Sequence, residues 1–229
     1  MHSTESLGEI PLFKGLSEKV IAKLEAHSTY KRIEEGETYF RAGDLPRHFT
    51  VVISGQLKMF RINKAGKEQV FAYCQPNDAI GFVAVTDPYR AWPVDCVARM
   101  ATELVEIELG ALREILRSEP QLAVTVMGEL SRHFSRMVQL VDQLSLKDAH
   151  NRLAHWLENW ITRNYPDSGD KELMLVLPYT QSEIAAQIGT VREVVSRGFS
   201  KMEKDGILKT SGKRVTIQSR SRLREMANV

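Results

Sequence analysis

The chain has 229 residues, 43% hydrophobic and 26% charged, the balance of an ordinary soluble globular protein with one large or two modest domains. No run approaches the roughly 18 apolar residues of a spanning helix. Met1-His2-Ser3-Thr4-Glu5 lacks the basic and apolar segments of a signal peptide, so a cytoplasmic protein with no membrane role is expected. Two cysteines, Cys74 and Cys96, are too few for a disulfide framework or a four-cysteine iron–sulfur site; two buried thiols are the simpler reading, a redox pair the other. The net charge of +2 conceals an asymmetry. Residues 190–229 carry ten Lys/Arg against four Asp/Glu, and the first 189 residues carry 21 against 25. A basic end suits phosphate binding, although charge alone does not separate this from a solubility tail.

Residues 1–30 read as helical, with Leu16, Val20, Ile21 and Leu24 on one face. From Lys31 to about Glu108, short apolar runs alternate with Gly36, Gly43, Gly55, Gly66 and Gly81, the texture of an all-β barrel or roll. Residues 49–60 are rich in β-formers, and Gly55 interrupts them as a turn or bulge. Residues 63–67 form a polar turn before a strand from Gln69 to Cys74. A short helix over 109–118 precedes Pro120, which starts a long one. In that helix Met127, Leu130, Phe134, Met137, Val141 and Leu144 fall at alternating steps of three and four. So wide an apolar face suits a helix buried on two sides, one against a partner helix; the alternative is a single buried helix in a monomer. A helix over 147–164 and a short strand, Leu173 to Leu177, follow.

Residues 180–202 read TQSEIAAQIGTVREVVSRGFSKM. Thr180 and Glu183 predict a capping box. Ile184, Ala185 and Ile188 give the first helix a buried face, and Gly189 turns the chain with positive φ. A second helix starts near Val191. Ala185 and Gly189 allow the two to cross closely, the helix-turn-helix arrangement. Arg192, Glu193, Ser196 and Arg197 share one face of the second helix, narrow enough for a major groove. Arg donates a bidentate pair to guanine, Glu accepts from cytosine N4, and Ser reaches base or phosphate. A purely structural helix pair has no need of this polar set. Thr180, Gln181 and Lys201 join it as candidate DNA contacts. Two strands around Ser211-Gly212 then read as a hairpin "wing", with Lys213 and Arg214 near its tip placed for phosphates.

These residues resemble the CRP/FNR superfamily, named for the cyclic-AMP (catabolite) receptor protein and the fumarate–nitrate reduction regulator. Pro11-Leu12-Phe13-Lys14-Gly15-Leu16-Ser17 resembles the family's N-terminal helical segment, and Gly36, Gly43-Asp44, Ser54-Gly55 and Gly66 resemble the turn glycines of its β-roll. The implied fold is α+β: a cyclic-nucleotide-binding-like sensor over 1–118, a dimerisation helix over 119–146 and a winged helix-turn-helix over 147–229. The resemblance implies a transcription regulator, not an enzyme. It would be a homodimer on palindromic double-stranded DNA with a TGA core in each half-site, and RNA polymerase would be a partner. Glu193, Ser196 and Arg197 match the base-reading trio of the fumarate–nitrate branch; Arg192, Glu193 and Arg197 match that of the cyclic-AMP branch. Gly198 stands where the family places a larger apolar residue.

The sensor departs further. Cyclic-nucleotide binders of this fold carry Gly-Glu for the ribose and Arg-Ser or Arg-Thr for the phosphate. Here Phe82 follows Gly81, Trp92-Pro93 takes the Arg-Ser place, and Arg90 is displaced. A cyclic phosphate would lack its charge partner, so cyclic AMP is not the expected effector. Gly81, Phe82, Arg90 and Trp92 mark the expected effector pocket. Haem responding to nitric oxide or another gas is one candidate, with His27, His48, His133 or Cys74 as an axial ligand; ordinary packing is the alternative for each, and a small organic effector is the rival. Residues 144–149 resemble the hinge of the nitric-oxide-responsive branch, with a pivot near Leu146 to Asp148. Two other readings remain: a regulator that needs no effector, and an interaction module without a DNA role.

Overall fold

The computed structural model describes residues 6–87, 89–170 and 172–228. The chain forms two compact units. One runs up to Arg61 and includes Phe71–Arg136; the other holds Ile62–Val70 and Met137–Val229.

The first unit begins with a 3-10 turn, Leu7–Glu9, and helix α1, Glu18–Ala26. Helix α1 buries Val20, Ile21 and Leu24, three of the residues whose spacing predicts it. The helix does not extend to residue 30. Ser28, Thr29 and Tyr30 already belong to β1 (Ser28–Ile33), where they pair with Ile107, Glu106 and Val105. The pairing of β-branched and aromatic residues with a long neighbouring strand overrides the helical period here. Residues 1–5 of the predicted helix lie outside the described residues.

The roll continues with β2 (Thr38–Phe40), β3 (His48–Ile62), β4 (Glu68–Cys74), β5 (Ala79–Ile80), helix α2 (Phe82–Thr86) and β6 (Asp95–Glu108). The sheet runs β1-β6-β3-β4, with β2 on β6 and β5 on β3. Strands β3 and β6 bury both faces. Phe49, Val51, Val105 and Ile107 face α1 and helix α3 (Leu109–Ser118); Val52, Leu57, Cys96, Ala98 and Leu104 fill the interior of the roll. Gly55 is a bulge within β3, not a turn: the register with β6 shifts on either side of it. Its φ is +86°, and a Cβ there would sit 2.4 Å from the Ala101 carbonyl oxygen. Only glycine fits that combination.

Helix α4, Pro120–Leu146, is the longest in the chain. Leu122 and Val126 are buried in the first unit's core. Further along, Met127, Leu130, Phe134, Val138 and Val141 are exposed, Phe134 by 69%.

The second unit packs α5 (Ala149–Asn164), α6 (Gln181–Gln187), α7 (Arg192–Lys204) and α8 (Arg220–Ala227) with a three-stranded sheet. Its order is β7 (Leu173–Val176), β9 (Arg214–Ile217), β8 (Leu208–Ser211). Helix α8 carries no clear periodicity, since only Leu223, Met226 and Ala227 are apolar amid charged residues, yet Leu223 and Ala227 are buried. Its Arg220 is buried too. The guanidinium donates to the Glu158 carboxylate on α5, to the Thr162 and Ser168 hydroxyls and to the Gly169 carbonyl, at 2.7–3.1 Å.

Candidate nucleic-acid interface and sensor region

The local chemistry of residues 180–204 builds the helix pair. The Thr180 hydroxyl accepts from the Glu183 N–H at 3.2 Å, and the Glu183 carboxylate accepts from the Thr180 N–H at 2.7 Å. This is the full capping box at the start of α6. The chain then turns at Gly189, φ +67°. Ile184, Ala185, Ile188, Val195, Phe199 and Met202 join one core with Leu153, Leu157 and Ile161 of α5.

Gly198 has its reason in this packing. A Cβ there would meet Leu153 Cδ2 at 2.6 Å and His150 Cδ2 at 3.4 Å. Helix α7 therefore approaches α5 closely where relatives are expected to hold a larger residue, and Phe199 fills core beside it. The G198I substitution is expected to lose about 1–3 kcal/mol through overpacking. Chemical denaturation of the full chain measures this, and an unchanged midpoint for the second unit would refute the close approach.

The polar face of α7 points outward. Arg192, Glu193, Ser196, Arg197 and Lys201 are all exposed. Among the described residues none of their side chains has an ion-pair partner. Thr180 is exposed and Gln181 half-buried at the start of α6. Lys213 and Arg214 are exposed where β8 returns as β9, the turn falling at Gly212-Lys213, one residue later than the sequence suggests. Not all the C-terminal basic charge is available. Arg220 is buried, and Arg224 pairs with Glu158 at 2.9 Å and Asp170 at 3.1 Å.

Residues 151–226 match the Crp-like helix-turn-helix domain, and residues 30–119 match the cyclic nucleotide-binding domain. The fumarate and nitrate reduction regulatory protein of Vibrio cholerae is 30% identical over 199 residues, covering 87% of this chain and 78% of that protein. The transcriptional activator protein FnrA of Stutzerimonas stutzeri is 32% identical, covering 81% of this chain and 75% of that protein. The chain belongs to the CRP/FNR superfamily. A solved structure of a CooA mutant from Carboxydothermus hydrogenoformans shares the fold, with a TM-score of 0.77 at 18% identity over 99% of this chain and 97% of that one. As a CRP/FNR protein with this helix-turn-helix, the chain is a DNA-binding transcription regulator and not an enzyme. No helix among the described residues is long and apolar enough to cross a membrane.

In the CRP/FNR sensor the four expected pocket residues have different surroundings. Gly81 precedes α2 and backs onto β3 at His48 and Phe49. The Phe82 ring packs edge-on to Phe49, at 5.2 Å, and against His133, also at 5.2 Å. Arg90 is exposed. Trp92 is buried and stacks on Phe40, centroids 3.9 Å apart and planes within 5°. The interior of the roll holds Phe40, Trp92, Val94, Cys74 and Cys96.

The candidate axial ligands have ordinary surroundings. His27 Nδ1 lies 3.3 Å from Glu108, and His48 Nδ1 lies 3.8 Å from Glu106. Burial lowers the His133 pKa, and Arg136 adds to this. Cys74 donates to the Met59 sulfur at 3.5 Å, and burial pushes its thiol up to about 12, which disfavours the thiolate that binds a metal. Met59 on β3 pairs with Cys96 on β6, so the two cysteine strands flank β3. Cys74 and Cys96 are both free and buried.

Sequence spacing gives no hint of one further grouping. Strands β1, β2, β3 and β6, with the loop before β3, bring Lys31, Tyr39, Arg47, His48 and Glu106 around a single cleft. Arg47 and His48 are consecutive, but Lys31, Tyr39 and Glu106 lie elsewhere along the chain, and the pairing of β1 and β3 with β6 brings Lys31, His48 and Glu106 together.

Proposed function

We propose that this regulator is a cytoplasmic homodimer. It reads a palindrome with a TGA core in each half-site, in concert with RNA polymerase, under an effector other than cyclic AMP. The observation that carries the DNA reading is the exposed face of Arg192, Glu193, Ser196 and Arg197, free of ion pairs among the described residues, on the second helix of a helix-turn-helix. Thr180, Gln181, Lys201, Lys213 and Arg214 supply the surrounding backbone contacts, which position the protein without choosing sequence. The exposed stripe Met127, Leu130, Phe134, Val141 and Leu144 of α4, with half-buried Met137, supports pairing through that helix. Sensor over 1–118, dimer helix over 119–146 and DNA-binding domain over 147–229 is the division of labour this implies.

The pivot is the break between α4 and α5. Asp148 caps α5 by accepting from the His150 and Asn151 N–H groups at 2.8 and 2.9 Å. Arg152 ties the break to the end of α6, donating to the Lys147 and Ile188 carbonyls at 2.7 Å. An effector that binds one dimer arrangement better shifts the population toward it.

The R197A variant is expected to bind a cognate duplex about 1–3 kcal/mol more weakly and to blur one base position. Fluorescence anisotropy at stated salt, on duplexes with inverted TTGA half-sites, TGTGA half-sites or a scrambled sequence, measures both. Equal affinity of wild type for all three duplexes, with and without effector, would sink the reading. One observation favours a second reading, a regulator that needs no effector: the interior of the roll is filled by its own side chains. That reading requires tight, selective binding by the ligand-free protein.

A further inference from the structure

The cleft framed by β1, β2, β3 and β6 lies at the mouth of the roll and holds about 710 Å³. Its groups divide into committed and uncommitted ones. The half-buried Tyr39 donates its hydroxyl proton to Glu106 at 2.7 Å and accepts from Thr50 at 2.7 Å. Lys31 stands 3.9 Å from Glu106 and lies over the Tyr39 ring. Glu106 is thus balanced by Lys31, Tyr39 and His48.

Arg47 on the rim is different. It is exposed, lines the cleft, and its guanidinium makes no ion pair among the described residues. Beside it Leu45, an apolar residue, is 56% exposed on the same rim. Trp92 and Phe40, stacked on each other, complete an aromatic wall.

The loop that carries the rim is stapled. The Trp92 N–H donates to the Asp44 carbonyl, and the Gly43 N–H donates to the Trp92 carbonyl, both at 2.9 Å. Asp44 further closes its own turn, accepting from the Arg41 N–H at 2.8 Å. A cleft held this way is formed before a ligand arrives, which lowers the cost of binding.

We infer that this cleft binds a small aromatic monocarboxylate, its ring against the Trp92–Phe40 wall under Leu45 and its carboxylate on the Arg47 guanidinium. A free guanidinium beside apolar surface selects a planar anion attached to an apolar body. The lining carboxylates of Asp44 and Glu106 set the limit on charge: they repel a dianion such as a phosphate monoester more than a monoanion. The inference does not rest on the DNA reading, because binding is measured without DNA.

The test is isothermal titration of the full-length protein with benzoate, phenyl phosphate and benzylamine. In parallel, Trp92 emission is followed in the W156F/W160F background. Benzoate is expected to bind saturably, with a dissociation constant on the order of millimolar for so small a ligand, and to change Trp92 emission over the same range. R47Q is expected to weaken it about tenfold or more, whereas K64Q, at an exposed cation in the β3–β4 turn, keeps wild-type affinity. Circular dichroism confirms that R47Q is folded, as expected for an exposed side chain. No saturable binding of benzoate, equal binding by R47Q, or tighter binding of benzylamine or phenyl phosphate would each overturn the proposal.

Discussion

Replacing Arg220 by Met is expected to cost the DNA-binding unit about 3 kcal/mol. Removing one partner of a buried ion pair leaves the other charge uncompensated, and such losses run to about 3–5 kcal/mol. The lower end applies because Glu158 keeps Arg224 at 2.9 Å. The Thr162 and Ser168 hydroxyls and the Gly169 carbonyl lose their donor at the same time. Urea unfolding of the full chain, followed through Trp156 and Trp160 on α5, reads the change. The double variant E158Q/R220M is expected to recover much of the loss, since it removes both charges. A loss below about 1 kcal/mol in R220M, of the size seen for exposed pairs, would show that the network is ornamental.

The same network makes the unit sensitive to acid. Burial raises the Glu158 pKa, but the hydrogen bonds and charges of Arg220 and Arg224 outweigh it and leave the carboxyl below its ordinary value. A depressed carboxyl contributes stability above the unfolded value, about 4.3. That contribution is lost as pH falls through the lower folded value. The wild-type protein should therefore lose stability as the pH drops below about 4.3, and E158Q should show a flatter profile across that window.

The second large effect is expected at the β3 bulge. G55V combines a left-handed backbone with a Cβ 2.4 Å from the Ala101 oxygen and 2.6 Å from Thr102 Cα. Those atoms belong to the β6 backbone and cannot swing aside as a side chain tip would. Strain at such a φ costs about 1–3 kcal/mol, and overpacking adds about the same, so a total of roughly 3–5 kcal/mol is expected for the sensor unit. Gly66 is the control. It too has positive φ, +77°, but nothing within 4 Å of its Cβ position, so G66A should cost only about 1–2 kcal/mol. Thermal unfolding of both variants compares them, and equal losses would mean that the approach of β6 is not what demands glycine at 55.

The helix-turn-helix was readable because its determinants are local. Thr180 and Glu183 are three residues apart, Gly189 stands at the turn, and the polar face of α7 falls within six residues. The strands flanking the wing turn are equally local. What stayed hidden depends on distance along the chain. Arg220 looks like one more basic residue of a basic tail until α8 folds onto α5, 62 residues away. Residues 28–30 continue a helical texture until β6 offers them a partner. Phe82 and Trp92, neighbours in an expected pocket, turn into different cores because α2 and the loop before β6 present them to opposite faces of β3. Gly198 stood out as a departure, and the Leu153 side chain that gives it meaning lies on another helix.

The stripe on α4 has a consequence for dose. The helix of 27 residues is about 40 Å long, and it carries an exposed apolar stripe. On the homodimer reading, chains at concentrations far below their dissociation constant are mostly single, and the population of pairs rises as the square of the chain concentration. Doubling synthesis then gives about four times as many pairs. A palindromic site counts pairs, so the cell's supply of the protein becomes an input in its own right, steeper than linear, ahead of any small molecule.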